Sequence, residues 1–300
     1  MTARPSAPVE RVRSKLAQTA GSDLAAAMPA GYHRLGRVLL VRLPSRLRPH
    51  FSTIGAAWQE VLGVETVLTQ VGPIEGEMRR PRVETIAGGP TITEVREHGI
   101  RYRLDASEIM FATGNRGERF RAGQVTRRGE HVVDLFAGIG YFAIPAAKFG
   151  RAAEVLAVEK NPTALGYLST NASLNGVTDY IRPVLGDNRS VSLPLGSADR
   201  VFLGYLPSSL PWIPRAFSLL KINGGWMHVH LVEDVRGGLA RACDQVANAL
   251  IATGGAVRSI DSRQVKPYGP GRTHVVVDVE VRPVDSIAAG EPRRSRENDQ

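Results

Sequence analysis

Beyond Arg128 the chain settles into one repeating pattern. Short apolar runs at His131 to Leu135, Glu154 to Val158, Ile181 to Leu185, Ala198 to Leu203 and Gly225 to His230 alternate with stretches of helical spacing. Such alternation predicts parallel strands joined by crossover helices, because a strand covered on both faces is apolar throughout and its parallel neighbour is reached only through a long connection. A helix around Leu239 to Thr253 precedes two more strand-like runs, Val257 to Val265 and His274 to Val281, joined by PYGPGR. The glycines and prolines of that link predict an antiparallel hairpin closing one edge of a mostly parallel sheet.

The upstream part reads differently. RVLLVRL from Arg37 to Leu43 is β-rich, and Ser52 to Leu62 has the apolar spacing of a helix with Ser52 as its cap. Strand-like runs follow at Thr66 to Val71, Val83 to Ile86 and Thr91 to Val95, and then at Ile100 to Leu104 after a turn at His98-Gly99. The expected plan is a small α+β domain over residues 31–119 and an α/β, Rossmann-like domain over residues 120–283. Residues 1–30, Ala-, Pro- and Arg-rich without sustained periodicity, and residues 284–300, ending in EPRRSRENDQ, are expected to be mobile.

Composition removes several classes. No apolar run approaches the roughly 20 residues a bilayer span needs, so a cytoplasmic protein without a membrane partner is expected. The single cysteine, Cys243, excludes an internal disulfide and a CxxC pair, reads as a small core residue on a helix, and leaves no metal site expected. The net charge of +9 is concentrated early: the first 50 residues carry eight Arg and one Lys against Glu10 and Asp23. A basic arm of this kind can track a phosphate backbone, and it can equally be a solvated surface.

The chemistry is carried by HVVDLFAGIGYFAIPAAKFG. Asp134 ends a buried strand, and Gly138 and Gly140 occupy the turn before a helix, where missing side chains let a ligand approach the backbone. Glu159 ends the next strand, where a carboxylate can accept hydrogen bonds from both hydroxyls of a ribose. The third strand ends in Gly186-Asp187-Asn188, and an Asp-Asn pair there can meet the edge of an adenine ring. Each acid could also be a simple helix cap or turn residue, but three at successive strand ends point to a nucleoside. NAD(P) is the rival ligand; its GxGxxG turn would have Ala143 at the third glycine position, which is allowed. The AGIGYF context reads better as an S-adenosylmethionine loop.

DLFAGIGYFAIPAAKFG, AVEKNP, GDNR, ADRVFLGYLPSS, GGWMHVH and VKPYGPGRTHVVVDVEV together resemble the wybutosine-synthesis 3-amino-3-carboxypropyltransferases, relatives of the methyltransferases that modify the guanosine beside the tRNA anticodon. The upstream IMFATGNRGERFR resembles the same family's segment before the catalytic domain, and the likeness covers about Gly76 to Pro283. It implies a class I S-adenosylmethionine-dependent transferase in which Arg119, Glu159, Asp187 and Asn188 contact S-adenosylmethionine and Asp134 and the Gly138 to Gly140 loop lie beside its methionine part. Where the family reads serines this chain has Ala112 and Thr113, so Thr113 is carried over as the remaining hydroxyl contact. Amino-group methyltransferases often have Asn-Pro-Pro after the fourth strand. This chain has Leu203-Gly204-Tyr205-Leu206-Pro207-Ser208-Ser209, which puts Pro207, Ser208 and Ser209 on the acceptor side.

The resemblance thus implies transfer of the aminocarboxypropyl group to a nucleophile with release of methylthioadenosine. Two acceptors suit the chemistry. One is a modified tRNA base; the other is a small-molecule phenol, as in the isonocardicin synthases of β-lactam antibiotic biosynthesis. The excess of Arg over Lys and the Ala/Gly bias resemble high-GC, antibiotic-producing bacteria, and on that association the phenol is the preferred expectation, with tRNA, and then plain methylation, as alternatives. A phenol with pKa near 10 benefits from a base. Tyr205, His228 and His230, at strand ends, are the candidate catalytic residues.

Overall fold

The computed structural model describes residues 7–283, and the chain within it divides into two units. The first runs up to Arg116 and takes in Ser169–Asn175; the second comprises Gly117–Leu168 and the chain from Gly176 onward. The expected tail over residues 284–300 lies outside the described residues.

In the first unit, helices α1 (Pro8–Ala20) and α2 (Ser22–Ala27) precede strands β1 (Tyr32–Leu35) and β2 (Val38–Val41), helix α3 (Phe51–Leu62), and strands β3 (Thr66–Gln70) and β4 (Val83–Ala87). The four strands form one sheet in the order β1-β2-β3-β4, with β2 and β3 parallel and the other pairs antiparallel. The parallel pair is joined through α3, as a crossover requires. Val12, Leu16, Leu39, Ile54, Trp58 and Val67 are almost wholly buried in its core.

This corrects the expectation of a mobile segment for its described part, residues 7–30; residues 1–6 lie outside the described residues. Val9, Val12 and Leu16 fall at helical spacing on α1 and are all buried. Each buried aliphatic side chain contributes on the order of 1.5–3 kcal/mol, enough to order the segment.

The first unit also holds a hairpin of β5 (Ile92–Glu97) and β6 (Ile100–Asp105), turning at His98-Gly99, where both residues have positive φ as a type I′ turn demands. The backbone of β6 pairs with side-chain amides. Asn171 and Asn175 accept from the N–H groups of Arg103 and Arg101 (2.7 and 3.0 Å) and donate to the carbonyls of the same residues (3.1 and 2.8 Å).

The second unit is built from α4 (Arg116–Val125) after its first residue, β7 (His131–Asp134), α5 (Ala143–Lys148), β8 (Glu154–Glu159), the first half of α6 (Pro162–Leu174), whose residues from Ser169 belong to the first unit, β9 (Ile181–Leu185), β10 (Arg200–Leu203), α7 (Ile213–Leu219), β11 (Gly225–Asp234), α8 (Gly238–Ile251), β12 (Gly255–Gly269) and β13 (Arg272–Pro283). Its seven strands are ordered β12-β13-β11-β10-β7-β8-β9, parallel from β11 through β9 and antiparallel at β11-β13-β12. This is the α/β, Rossmann-like architecture with a closing antiparallel hairpin. Strand order reverses between β7 and β10, which puts the ligand crevice at their carboxyl ends.

The two sheet faces differ. Val133, Val201, Met227 and Val279 lie in one row and join an apolar core with Ala216 and Leu219 of α7 and Ala242, Val246 and Leu250 of α8; Cys243 packs against it, half-buried. The adjacent row on the other face reads Asp134, Phe202, His228, Asp278, three of its four positions polar. Strand β11 continues six positions past His228, to Asp234 paired with Arg272, so the antiparallel strands stand roughly 20 Å beyond the end of β7.

Candidate active site

The crevice begins at Asp134. Its carboxyl is wholly buried: Oδ1 accepts the Phe136 N–H at 3.1 Å and Oδ2 has no hydrogen-bond partner, while the Ala143 N–H draws the carboxyl pKa down a little. Burial, reinforced by the nearby Glu159 charge, pushes its pKa up to about 7. Gly138 and Gly140 follow with φ of 55° and 99°, a backbone that side-chain-bearing residues rarely adopt.

Glu159 is tied to that turn. One oxygen accepts the Gly138 N–H and the other the Asn161 N–H, both at 2.8 Å. Burial raises its pKa, and these backbone donors oppose the rise. A carboxylate has about four lone-pair directions, and because the Lys160 N–H also bonds to it, about one remains for a ligand. Asp187 is more open. It accepts from the Arg189 N–H at 2.9 Å and from Lys160 Nζ at 3.1 Å, and these bonds hold its pKa below the ordinary value.

Asn188 is committed to the scaffold: Nδ2 donates to the Leu135 carbonyl at 2.6 Å, and Oδ1 accepts from Trp212 Nε1 at 2.7 Å. Trp212 stands edge-on to Phe136, and Phe136 stacks on Tyr205 with ring centroids 5.2 Å apart. Arg119 is buried on α4, its guanidinium 5.4 Å from the centre of the Tyr141 ring. Thr113 lies in the first unit, where its hydroxyl meets His33 Nδ1 at 3.2 Å.

The segment after β10 runs back along β11. The Ser209 N–H donates to the His230 carbonyl and the Val232 N–H to the Pro207 carbonyl, and Ser208 bridges to Leu231. Ser209 is fully buried; its hydroxyl accepts from the Tyr205 N–H and lies 2.7 and 2.8 Å from the carbonyls of Leu203 and Tyr205. The Ser208 hydroxyl accepts the Leu210 N–H at 3.3 Å.

The two candidate histidines differ sharply. His228 has both nitrogens occupied: Arg200 Nη1 donates to Nε2 at 2.7 Å, and Nδ1–H donates to Asp278 at 2.5 Å. Arg200 also pairs with Glu130, and Asp278 also accepts from Arg121 and Arg263. Burial favours the neutral form of Asp278, but His228, Arg263 and Arg121 outweigh it and hold the carboxyl far below the ordinary range. Burial in turn lowers the pKa of His228. With no lone pair left over, His228 is part of a buried ion network. His230 Nδ1 meets His274 Nε2 at 2.9 Å, and His230 Nε2 and His274 Nδ1 are buried without a partner. Burial pushes both rings down to about 3, so both are neutral at physiological pH.

The sequence reading missed the network around Asp278 and the partner of His230. A signal existed: His228 and His230, and likewise His274 and Asp278, are spaced by even numbers in strands and therefore share a face. Among the described residues, no group of three or more His, Cys, Asp or Glu is placed to hold a metal, and no helix is long and apolar enough to cross a membrane.

Residues 93–249 match the TRM5/TYW2 methyltransferase domain, and residues 12–91 match the TYW2 N-terminal domain. The chain belongs to the TYW2 family. A TYW2-family relative from Pyrococcus horikoshii, a tRNA(Phe) (4-demethylwyosine(37)-C(7)) aminocarboxypropyltransferase, is 36% identical over 271 residues, covering 90% of this chain and 96% of the relative. The protein of the same description from Methanocaldococcus jannaschii is 38% identical over 214 residues, covering 71% of this chain and 85% of that one. The crystal structure of P. horikoshii TYW2 in complex with MeSAdo superposes with a TM-score of 0.80 at 33% identity, over 91% of this chain and 99% of that one. These relatives overturn the preferred acceptor of the sequence reading: nothing in them points to a phenol or to an antibiotic pathway, and those with a stated acceptor act on tRNA. An arginine-rich composition does not by itself identify an acceptor.

Proposed function

We propose that this chain transfers the 3-amino-3-carboxypropyl group of S-adenosylmethionine to a wyosine-type base at position 37 of tRNA(Phe), releasing methylthioadenosine. The observation that carries this reading is the near-full-length likeness to the P. horikoshii aminocarboxypropyltransferase, at 36% identity over 96% of that protein. The crevice fits the donor. The Gly138 to Gly140 turn lets it approach the backbone, the remaining lone pair of Glu159 suits a ribose hydroxyl, and Asp187 suits the adenine amine. Asn188 holds the adenine side of the crevice in shape through Trp212 and Leu135. The unpartnered Asp134 Oδ2 suits the ammonium of the methionine arm, and Arg119 its carboxylate.

S-adenosylmethionine supplies a sulfonium with three electrophilic carbons. The enzyme selects among them by alignment, an effect that can contribute roughly 7–11 kcal/mol. In this reading Pro207, Ser208 and Ser209 wall the acceptor side, and Tyr205 shapes it through its stack on Phe136. Their internal hydrogen bonds make them a rigid template, and a tRNA substrate accords with a cytoplasmic enzyme. Product mass tests the proposal. Incubated with S-adenosylmethionine and tRNA(Phe) carrying 4-demethylwyosine, the protein is expected to add an aminocarboxypropyl group to nucleotide 37 and release methylthioadenosine stoichiometrically. A gain of a methyl group with S-adenosylhomocysteine, or no tRNA product, refutes it.

A further inference from the structure

Transfer to a ring carbon requires the loss of a carbon-bound hydrogen, which transfer to a phenol oxygen or an amine does not. As the acceptor C7 bonds to Cγ of the amino-acid arm, the Cγ–S bond breaks and its electron pair leaves with the neutral thioether. C7 then still carries its hydrogen, and the ring carries a positive charge. Aromaticity returns only when that hydrogen leaves as a proton and its bonding pair stays in the ring. An acceptor for the proton must therefore stand on the acceptor side of the crevice.

Among the residues placed there, His228 has no lone pair to offer, and the serine hydroxyls are engaged with backbone groups. His230 differs. Its imidazole packs beside the Phe142 ring, 5.2 Å between centroids, at the end of the cofactor turn; that phenylalanine lies so close to Gly204 that a Cβ there would fall 2.6 Å from it. Its carbonyl receives the N–H of Ser209 from the acceptor-side segment. Its Nε2 is buried and unpartnered, a condition that opposes the fold unless a ligand compensates it. Behind it, His274 Nε2 faces Nδ1 at 2.9 Å, so the two rings share one hydrogen between them.

Resting on the transfer to C7 proposed above, we infer that His230 Nε2 takes the proton lost from C7, with His274 as the positioning residue that accepts the His230 Nδ1 hydrogen. In this tautomer Nε2 presents a lone pair to the acceptor, Nδ1–H donates to His274, and His274 Nδ1–H is the outer end of a two-ring relay. The charge that arrives on His230 passes to His274 by a shift of one hydrogen. Burial makes both rings weak bases, which suffices for a proton as acidic as that of a cationic ring carbon.

The test uses the full-length protein, tRNA bearing 4-demethylwyosine with hydrogen or deuterium at C7, and the variants His230→Asn and His274→Asn. The wild type must first yield the aminocarboxypropyl product; if it does not, the function itself fails and the histidines are not at issue. Given that product, both variants are expected to bind S-adenosylmethionine as the wild type does by calorimetry. They should turn over slower, by roughly 10²–10⁴-fold for His230→Asn, and show a primary deuterium isotope effect larger than the wild type's because proton loss has become limiting. Histidine ¹⁵N spectra of the ligand-free wild type should show Nδ1 of His230 protonated. If His230→Asn does not fold, the isotope effect in His274→Asn and the ¹⁵N assignment decide. Wild-type turnover in a folded variant, an unchanged isotope effect, or a loss of activity explained by lost donor affinity overturns the inference.

Discussion

Asp134, proposed above as a contact to the cofactor, shows how such a site would oppose stability at the level of one side chain. Its carboxyl is wholly buried and its pKa stands near 7, against an ordinary 3.8. An acid whose pKa is raised by folding contributes its full stability below the unfolded value and loses it as pH rises through the folded one, here between about pH 4 and 7. At one unit per 1.4 kcal/mol the ligand-free cost above pH 7 reaches about 4 kcal/mol as an upper bound. Asp134→Asn should therefore melt at a higher temperature than the wild type at pH 8, with a difference that shrinks toward pH 4, and should bind S-adenosylmethionine more weakly by calorimetry. A variant no more stable at pH 8 would remove the assigned cost. This acid, like Glu159 and Asp187, was legible as a strand-end acid. The commitments of Asn188 and Ser209 were not, because Leu135 and Trp212 lie 53 and 24 positions away in the chain and Ser209 bonds to a turn whose shape no spacing rule encodes.

Among the elements, α1 is one that the sequence reading lost. Its Val9, Val12 and Leu16 have helical spacing, but the alanines, arginines and prolines around them hid a stripe of only three apolar positions. Two of those residues, Val12 and Leu16, are entirely buried against a core that includes Ile54 and Trp58 of α3. Leu16→Ala should cost about 2–5 kcal/mol, read as a lower denaturation midpoint with no change in denaturant slope. A shift within error of zero would return the segment to the mobile arm first expected. The parallel strands β8 and β10 were legible because near-complete burial favours apolar residues, whereas in the edge strand β9 only Ile181 is buried. Strands β12 and β13 were located but read too short, since their ends pass beyond the apolar stretch into Lys266, Pro267 and Arg272.

For the whole molecule, the notable charge pattern is a set of histidines folded neutral. Burial depresses His228, His230 and His274. A histidine depressed by folding contributes stability that is complete above its ordinary value near 6.5 and is lost as pH falls through the folded one. Asp278, depressed among carboxylates, adds a loss below about pH 4, while Asp134 and Glu159 act in the opposite sense. The melting temperature of the ligand-free protein should thus fall between pH 7 and 4. Replacing both His230 and His274 by Asn should make that fall shallower, whatever it does to the melting temperature at pH 7. An unchanged slope would mean that the rings take up protons without unfolding.

The path of the chain between its units has a temporal consequence. The first unit contains residues 169–175, although the chain enters the second at Gly117. Asn171 and Asn175 supply hydrogen bonds that the backbone of β6 lacks without them. On a ribosome, the amino-terminal unit cannot finish before residue 175 has emerged, so the nascent protein carries an incomplete hairpin edge through the synthesis of β7, β8 and most of α6. A gene cut at the boundary after Arg116 would make that transient state permanent.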